Sequence, residues 1–302
     1  MSRATILVAG GTGDLGTRLV RALVARGAPV RALVRRDALA SDLARVTGLG
    51  ATLVRADWHD MASVVSACQG ASCVVSALNG LREVILGRQG VLLDAAVEAQ
   101  VPRFIPSDYA ADFTKTTPGE NRNFDLRREF MVRANRAKIE VTSVLNGAFM
   151  DMLGAEIPII RPRLRRVLYW GENPDQLLDF TTKDDLAAYV AAVALDTNTP
   201  RFLRIAGDTV SAATIADVMS ELTRKRFRTL RVGSLHSLGS LIELIRTVAP
   251  QSGVTFPPWQ GMQYLRDMYS GRGKLEPLDN ARYPELSWTP VKDVLRQRAK
   301  AG

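Results

Sequence analysis

A glycine-rich segment close to the amino end of the sequence has the residue types and spacing of an anion-binding turn. It reads Gly10-Gly11-Thr12-Gly13-Asp14-Leu15-Gly16 and directly follows an apolar run. Gly10 allows a tight turn, Gly13 a close approach of the backbone to a pyrophosphate, and Gly16 close packing of the next helix on the strand. The unpaired N–H groups and positive dipole end of that helix would face the phosphates. The segment predicts a dinucleotide-binding site.

Two arginines at the end of the second predicted strand indicate which dinucleotide is bound. NAD-binding proteins usually carry an acid at this point, whereas an arginine suits the 2′-phosphate of NADP. Here Arg35 and Arg36 come before the first acid, Asp37. A guanidinium can bind a phosphate through two hydrogen bonds. The sequence therefore favours NADP(H) over NAD(H), and the alternative is that both arginines are ordinary solvated residues.

Side chains after the third and fourth predicted strands are further candidates for cofactor contacts. Asp57 follows the third strand and could accept hydrogen bonds from the adenine. The fourth strand ends in Ser76-Ala77-Leu78-Asn79, whose small residues would let the ribose lie close. Ligands collect at the carboxyl edge of such sheets, which supports both expectations. A capping or turn role is the alternative for each.

These residues lie at the ends of strand patterns that alternate with helix patterns. Strands are predicted at 4–9, 29–34, 51–54, 71–77, 103–106 and 139–145. Helices are predicted at 15–26, 60–68, 84–99 and 124–136, and a surface loop at 112–123. Strands separated by helices form right-handed βαβ units, so the predicted fold class is α/β with a doubly wound parallel Rossmann sheet.

Prolines and glycines make the second half of the sequence less regular. Helices are predicted at 183–195, 211–224 and 234–248, a strand at 202–206 and a loop at 250–261. We predict a cofactor-binding Rossmann domain at 1–150 and a smaller C-terminal substrate lobe at 151–302, some of whose elements can return to the sheet.

The charge and the cysteines restrict the partners and the compartment. The net charge of +9 is spread over both halves of the 302 residues, with the densest basic runs at 161–166 and 224–228, whose role the sequence leaves open. A diffuse excess of this kind does not predict a nucleic-acid partner. Only two cysteines occur, and no apolar run is long enough to span a membrane, so we expect a cytoplasmic protein without membrane or metal partners.

The motifs together resemble one branch of the atypical short-chain dehydrogenase/reductases. The turn, Arg35, the segment Arg103-Phe104-Ile105-Pro106-Ser107-Asp108-Tyr109 and the segment Asn146-Gly147-Ala148-Phe149 are similar to NmrA-like and isoflavone reductase-like proteins. The resemblance covers residues 3–200 and implies an NADP(H)-binding fold with a C-terminal substrate lobe. It implies that Thr12 to Leu15 contact the pyrophosphate, Arg35 the 2′-phosphate and Ser76 to Asn79 the adenosine side. By the same resemblance Pro106, Ser107 and Asn146 lie toward the nicotinamide, and Gln89 matches a recurrent position.

The sequence departs from this pattern at the residue that handles protons. No tyrosine is followed four residues later by lysine, and the Phe-x-x-Lys pattern of the isoflavone reductase-like branch reads Phe124-Asp125-Leu126-Arg127. An arginine stays charged, so it can stabilise a developing oxyanion but does not shuttle a proton. Tyr109 is the candidate proton donor, with its pKa lowered by Arg127, and a packing role is the alternative. Asp108 would orient Arg127 or cap a turn.

The functional prediction is an NADPH-dependent oxidoreductase that transfers a hydride to a small aromatic or unsaturated substrate. Arg127 and Tyr109 are its predicted catalytic residues. The alternative is a non-catalytic NADP(H)-binding redox sensor or regulator, which the missing lysine favours.

Overall fold

The computed structural model describes residues 4–154 and 157–301 as an α/β protein. The strands are β1 (Ile6–Ala9), β2 (Val30–Arg35), β3 (Thr52–Ala56), β4 (Cys73–Ser76), β5 (Arg103–Ile105), β6 (Glu140–Val141), β7 (Ser143–Leu145), β8 (Ala148–Phe149), β9 (Ile160–Arg161), β10 (Arg166–Trp170), β11 (Leu178–Thr181), β12 (Phe202–Arg204), β13 (Asp208–Val210) and β14 (Arg228–Gly233). The α-helices are α1 (Asp14–Ala25), α2 (Ala40–Gly48), α3 (Met61–Cys68), α4 (Gln89–Glu98), α5 (Arg122–Ala134), α6 (Lys183–Leu195), α7 (Ala212–Thr223), α8 (Leu235–Val248), α9 (Pro258–Tyr269) and α10 (Val291–Ala301).

A six-stranded parallel sheet carries the predicted cofactor residues. Its strand order is β3-β2-β1-β4-β5-β6, so the chain reverses direction across the sheet between β1 and β4. Ile6 aligns with Val30 on one side and with Cys73 on the other. In sheets of this kind ligands bind outside the carboxyl ends of the strands at such a switch point. The predicted doubly wound fold is confirmed.

The central strand β1 is buried on both faces of this sheet. All four of its residues, Ile6–Ala9, have no solvent exposure, which explains why the sequence shows a continuous apolar run instead of an alternating one. On α1 the buried positions Leu19, Val20 and Leu23 recur at helical spacing. Full burial of each large aliphatic side chain stabilises the fold by about 1.5–3 kcal/mol.

Several helices begin at side-chain caps that are visible in the sequence. Asp60 accepts a hydrogen bond from the Ala62 amide at the start of α3, and Ser211 and Ser234 cap α7 and α8 in the same way. A cap of this type contributes about 1 kcal/mol. Helix α9 begins differently, with Pro258 in its first turn, where the missing N–H is not needed. The predicted loop at 250–261 is therefore wrong in its last part.

Other expectations about local structure also fail. The segment 112–123 is a loop up to the start of α5, as predicted, but it lies only partly at the surface, because Asp112, Phe113 and Asn121 are fully buried. Arg204 pairs with the Asp112 carboxylate at 2.7 Å, which offsets the loss of hydration of that charge. The sixth predicted strand is two strands, since β6 pairs with β5 whereas β7 pairs with β12. Helix α2 was not predicted, and its single buried residue, Val46, explains the weak pattern.

The chain forms two compact units that interleave along the sequence. The first contains the described residues up to Tyr109, together with Leu126–Val144 and Leu186–Leu203. The second contains Ala110–Asp125, Leu145–Asp185 and the residues from Arg204 onward. The boundaries of these units therefore differ from the single domain boundary expected at residue 150. The second unit is not the smaller of the two. Within the described part of the chain, no helix is long and apolar enough to cross a membrane.

Candidate active site

The glycine-rich turn lies where β1 passes into α1 in the first unit. Gly10 has a φ of +79°, and a Cβ atom on it would lie 2.8 Å from the Ala77 carbonyl oxygen. A Cβ atom on Gly16 would overlap the carbonyl of Gly10 itself. Both positions therefore require glycine, because the turn folds tightly against α1 and against the residues that follow β4.

The amino end of α1 leaves backbone donors available for an anion. Its first residue is Asp14, and the preceding Gly13 provides no side-chain cap. The Thr17 hydroxyl donates to the carbonyl oxygens of Gly11 and Gly13, at 3.2 and 2.8 Å, and so fixes the turn from inside. Gly13 and Asp14 are exposed, and Thr12 and Leu15 are half-buried. An uncapped, rigid and accessible helix start of this type suits a pyrophosphate.

Arg35 and Arg36 lie in solvent at the carboxyl end of β2. The Arg35 Nε atom is 3.6 Å from an Asp37 carboxylate oxygen, and Arg36 Nη1 is 3.7 Å from Asp57 Oδ2. Both pairs are loose and exposed, so each guanidinium retains donors for another anion. The other Asp57 oxygen accepts a hydrogen bond from the His59 amide at 2.9 Å. Asp57 thus stabilises the turn after β3, and its contact with the adenine stays a prediction.

Tyr109 fixes the end of β4. Its hydroxyl donates to the Ser76 carbonyl oxygen at 3.1 Å, and both residues are buried. The Leu78 amide donates to the Ser76 hydroxyl at 3.4 Å, so Ser76-Ala77-Leu78 is held from two directions, while Asn79 is exposed. Burial, reinforced by the nearby Asp108 charge, raises the pKa of Tyr109. The expectation that Arg127 lowers this pKa is wrong.

Gln89 supports the segment that follows β5. Its Oε1 atom accepts a hydrogen bond from the Ser107 amide at 2.9 Å, although the side chain is fully buried. The preceding turn, Glu83–Arg88, is π-helical and leads directly into α4. The Gln89 Nε2 atom has no hydrogen-bond partner among the described residues. Gln89 therefore positions Ser107, and the adjacent Pro106 is buried as well.

A buried charge cluster surrounds Asp108. The Ser143 hydroxyl donates to Asp108 Oδ2 at 2.6 Å, and Arg201 Nη1 donates to the same hydroxyl at 2.7 Å. Burial raises the pKa of Asp108, while the hydrogen bond from Ser143 and the charges of Arg127 and Arg201 partly oppose that shift. Arg127, on α5, is itself only 8% exposed. The Arg127 charge therefore acts on Asp108, and the orienting role of this carboxylate stays a prediction.

Asn146 belongs to the second unit. Its backbone is fixed because its amide donates to the Ala110 carbonyl at 2.9 Å and its carbonyl accepts from the Thr181 hydroxyl at 2.7 Å. Its side chain is fully buried, yet neither amide atom has a hydrogen-bond partner among the described residues. Buried amides without partners are rare in native proteins, so this side chain suits a polar ligand atom.

A surface depression of about 480 Å³ lies at the opposite edge of the six-stranded sheet. Its lining includes Thr5, Pro29 and Thr52, which stand at the amino ends of β1, β2 and β3. None of the predicted site residues lines it, so we do not regard it as the functional site.

Comparison with known families agrees with this architecture. The model of the NmrA-like family matches residues 2–276 of the sequence. The chain belongs to the NmrA-like family.

Plant reductases are among the similar proteins. The isoflavone reductase homolog IRL from Zea mays is 31% identical over 243 residues, covering 75% of this chain and 76% of its own length. Pinoresinol reductase 2 from Arabidopsis thaliana is 27% identical over 269 residues, covering 83% and 84% of the two chains. The solved structure of AtPrR2 with NADP+ and (+)pinoresinol is 24% identical, has a TM-score of 0.82 and covers 98% of this chain and 99% of its own.

Within this NmrA-like chain, sequence reasoning missed the partners of the Asp108 carboxylate. Ser143 and Arg201 are 35 and 93 residues away from it, and Arg201 is held by a 2.8 Å hydrogen bond from its Nε atom to Asn135. Neither residue belongs to a motif. Only tertiary packing brings Ser143 and Arg201 to Asp108, so no pattern in the sequence predicts this cluster.

Proposed function

We propose that this NmrA-like protein is an NADPH-dependent reductase that acts on small aromatic substrates. The observation that carries the proposal is that β2 ends in an arginine, Arg35, beside the glycine-rich turn. In that turn, Gly10 and Gly16 leave no room for a Cβ atom. The names of the plant relatives, pinoresinol reductase and isoflavone reductase homolog, support the substrate class.

The residues of the first unit fit NADPH. Gly10 and Gly16 let the turn pack tightly against its neighbouring backbone, and the start of α1 has no side-chain cap of its own. The amides of Thr12, Asp14 and Leu15 would hold the pyrophosphate, whereas the Gly13 amide donates to the Gly10 carbonyl at 3.0 Å. Arg35, assisted by Arg36, would hold the 2′-phosphate. Bound NADPH supplies a hydride. Ser76 to Asn79 would border the adenosine and Pro106 and Ser107 the nicotinamide end, whereas we retain only a supporting role for Asp57. In the second unit, Asn146 is a separate candidate for binding a polar ligand atom.

We assign charge stabilisation to Arg127. A guanidinium stays protonated, so it can hold negative charge that develops on a substrate oxygen. Asp108 interacts with it electrostatically from a site without solvent exposure. Tyr109 is engaged with the Ser76 carbonyl and has a raised pKa. We therefore assign Tyr109 to positioning the end of β4 instead of to proton donation.

The function is tested by mixing the purified protein with NADPH and a panel of aromatic ketones, enals and quinones. We expect loss of NADPH absorbance with at least one class of acceptor. Tight NADPH binding without oxidation across the whole panel would contradict the proposal and support the redox sensor, which the arginine at position 127 favours. Failure to bind NADPH at all would contradict both functions.

We place the protein in the cytoplasm. Its two cysteines, Cys68 and Cys73, are free and buried, and burial raises the pKa of each thiol to about 12. Unreactive, unpaired thiols that pack as small apolar groups are usual in a reducing compartment. Immunolocalisation or fractionation of cells that express the protein tests this assignment.

A further inference from the structure

The two basic runs of the sequence meet on one sheet of the second unit. This sheet has the strand order β14-β10-β9. Arg166 on β10 is in register with Arg228 on β14 and with Arg161 on β9. Adjacent strands are about 4.8 Å apart, so the three residues form a row across the sheet. We call this row, Arg161, Arg166 and Arg228, the arginine row.

The arginine row lies on the solvent side of its sheet. The next register pair, Ile160 with Val167, has side chains on the other face, because side chains alternate along a strand. Ile160 and Val167 are buried in the apolar core of the second unit. Arg161 and Arg228 are exposed and Arg166 is half-buried.

Other cations surround the arginine row. The turn between β9 and β10 contributes Arg163 and Arg165, and the Arg165 carbonyl accepts a hydrogen bond from the Arg228 amide at 3.2 Å. The segment before β14 contributes Arg224, Lys225 and Arg226, all exposed. None of these eight cations pairs with a carboxylate in the described part of the chain, although the neighbouring Arg231 pairs with Glu172.

Aligned like charges destabilise a sheet unless something neutralises them. Nothing within the second unit does so, because no ion pair involves the arginine row among the residues described. The arrangement is therefore suited to an external surface of opposite charge.

Exposed aliphatic side chains accompany these cations. Leu164 lies between Arg163 and Arg165 at the turn and is 64% exposed. Leu230 and Val232 follow Arg228 along β14 and are 43% and 49% exposed. The aromatic residues of the same strands and of the segment before β14, Tyr169, Trp170 and Phe227, pack into or against the apolar core instead.

This composition distinguishes between polyanions. Binding of single-stranded nucleic acid relies on aromatic side chains that stack on bases, and here the aromatic side chains are directed inward. A lipid surface needs cations for the headgroups and aliphatic side chains that enter the interface, and both are present. We propose that the arginine row and Leu164 form a docking surface for an anionic membrane. This peripheral attachment revises the sequence-based expectation of no membrane partner and does not depend on the proposed reductase function.

The proposal is tested by co-sedimentation with vesicles of phosphatidylglycerol and phosphatidylcholine at low ionic strength. The triple variant Arg161→Gln/Arg166→Gln/Arg228→Gln is compared with Arg21→Gln/Arg136→Gln/Lys138→Gln, which removes the same charge from exposed positions of the first unit. We expect the partition coefficient to fall about fivefold per arginine of the row, so on the order of a hundredfold for the triple variant. The matched control should retain most of the binding, and neutral vesicles should bind none of the three proteins.

A leucine variant and a competing polyanion distinguish membrane docking from charge attraction alone and from binding of nucleic acid. Leu164→Asn should weaken vesicle binding without removing charge, and its circular dichroism and NADPH affinity should match the wild type. No binding of the wild type to anionic vesicles, or equal losses in both triple variants, would overturn the proposal. The wild type could instead bind duplex DNA more tightly than the vesicles, with only the arginine-row variant binding DNA more weakly. That result would identify a nucleic acid, and not a membrane, as the partner.

Discussion

The Asp108 carboxylate accepts a 2.6 Å hydrogen bond from the Ser143 hydroxyl in a position without solvent exposure. Arg201 donates to the same hydroxyl, so a buried acid and a cation share one neutral side chain. Burial raises the pKa of Asp108 despite the nearby charges of Arg127 and Arg201. Ser143 and Arg201, from different parts of the sequence, thereby favour the charged form of the carboxylate that acts on the proposed catalytic arginine.

This raised pKa predicts a specific pH dependence of stability. The folded protein binds a proton at Asp108 more readily than the unfolded chain does, so the contribution of Asp108 is full below the ordinary pKa of 3.8 and is lost as the pH rises through the raised value. Asp108→Asn should remove this decline, because an amide does not titrate. Urea unfolding of the wild type and of Asp108→Asn over a pH series measures how the free energy of unfolding depends on pH. The same slope in both proteins would show that Asp108 does not cause the decline.

The 2′-phosphate assignment predicts a change in cofactor preference. Arg35→Asp should weaken NADPH binding by about tenfold or more and leave NADH binding nearly unchanged, because only NADPH loses a charge-assisted contact. Fluorescence titration with both cofactors measures the ratio. Arg21→Asp, on the exposed side of α1, is the matched control. Equal losses for the two cofactors with Arg35→Asp would refute the assignment.

The role of Arg127 predicts a split between turnover and cofactor binding. Arg127→Ala should lower kcat by about 10²–10³, the usual effect of removing one group that stabilises an oxyanion, with NADPH affinity nearly intact. Arg127→Lys keeps the charge and should retain much of the turnover. Since Arg127 is buried, thermal unfolding of both variants checks that they fold. Unchanged kcat in the folded Ala variant would remove Arg127 from the mechanism.

The two glycines on either side of the start of α1 should respond differently to alanine. A Cβ atom on Gly16 overlaps the Gly10 carbonyl, so Gly16→Ala should destabilise the fold by about 1–3 kcal/mol or more. On Gly13 the nearest atom, also the Gly10 oxygen, is 3.4 Å away, so Gly13→Ala should fold normally. It should nevertheless bind NADPH more weakly, because it adds a methyl group where the backbone is expected to approach the pyrophosphate closely. Chemical denaturation and cofactor titration separate the effects, and normal NADPH affinity in Gly13→Ala would argue against that site.

Removing the Tyr109 hydroxyl tests its positioning role. Tyr109→Phe leaves the buried Ser76 carbonyl without its donor and should lower the free energy of unfolding by about 1–3 kcal/mol. Its kcat should fall less than tenfold, whereas loss of a general acid typically lowers the rate by about 10²–10⁴. Steady-state kinetics distinguishes the two results. A fall in kcat of the larger size would restore Tyr109 as the proton donor.

Much of the first unit could be predicted from local patterns. The buried run at Ile6–Ala9, the glycine turn and the start of α1 all follow from steric and burial demands on neighbouring residues. The burial of part of the loop at 112–123 could not be predicted, because it depends on a distant residue. The buried Asp112 pairs with Arg204, which is far away in the sequence and carries no periodic signal.

The sequence by itself therefore determined the fold class, the glycine-rich turn and the position of the arginines at the end of β2, because each depends on residues within one strand–turn–helix unit. Only the tertiary structure decided the surroundings of Asp108, the hydrogen bond that engages Tyr109 and the alignment of Arg161, Arg166 and Arg228. The physical reason is that burial, pKa and strand register depend on which distant segments pack together. Those contacts are formed by chain closure over tens of residues, and no local spacing specifies them.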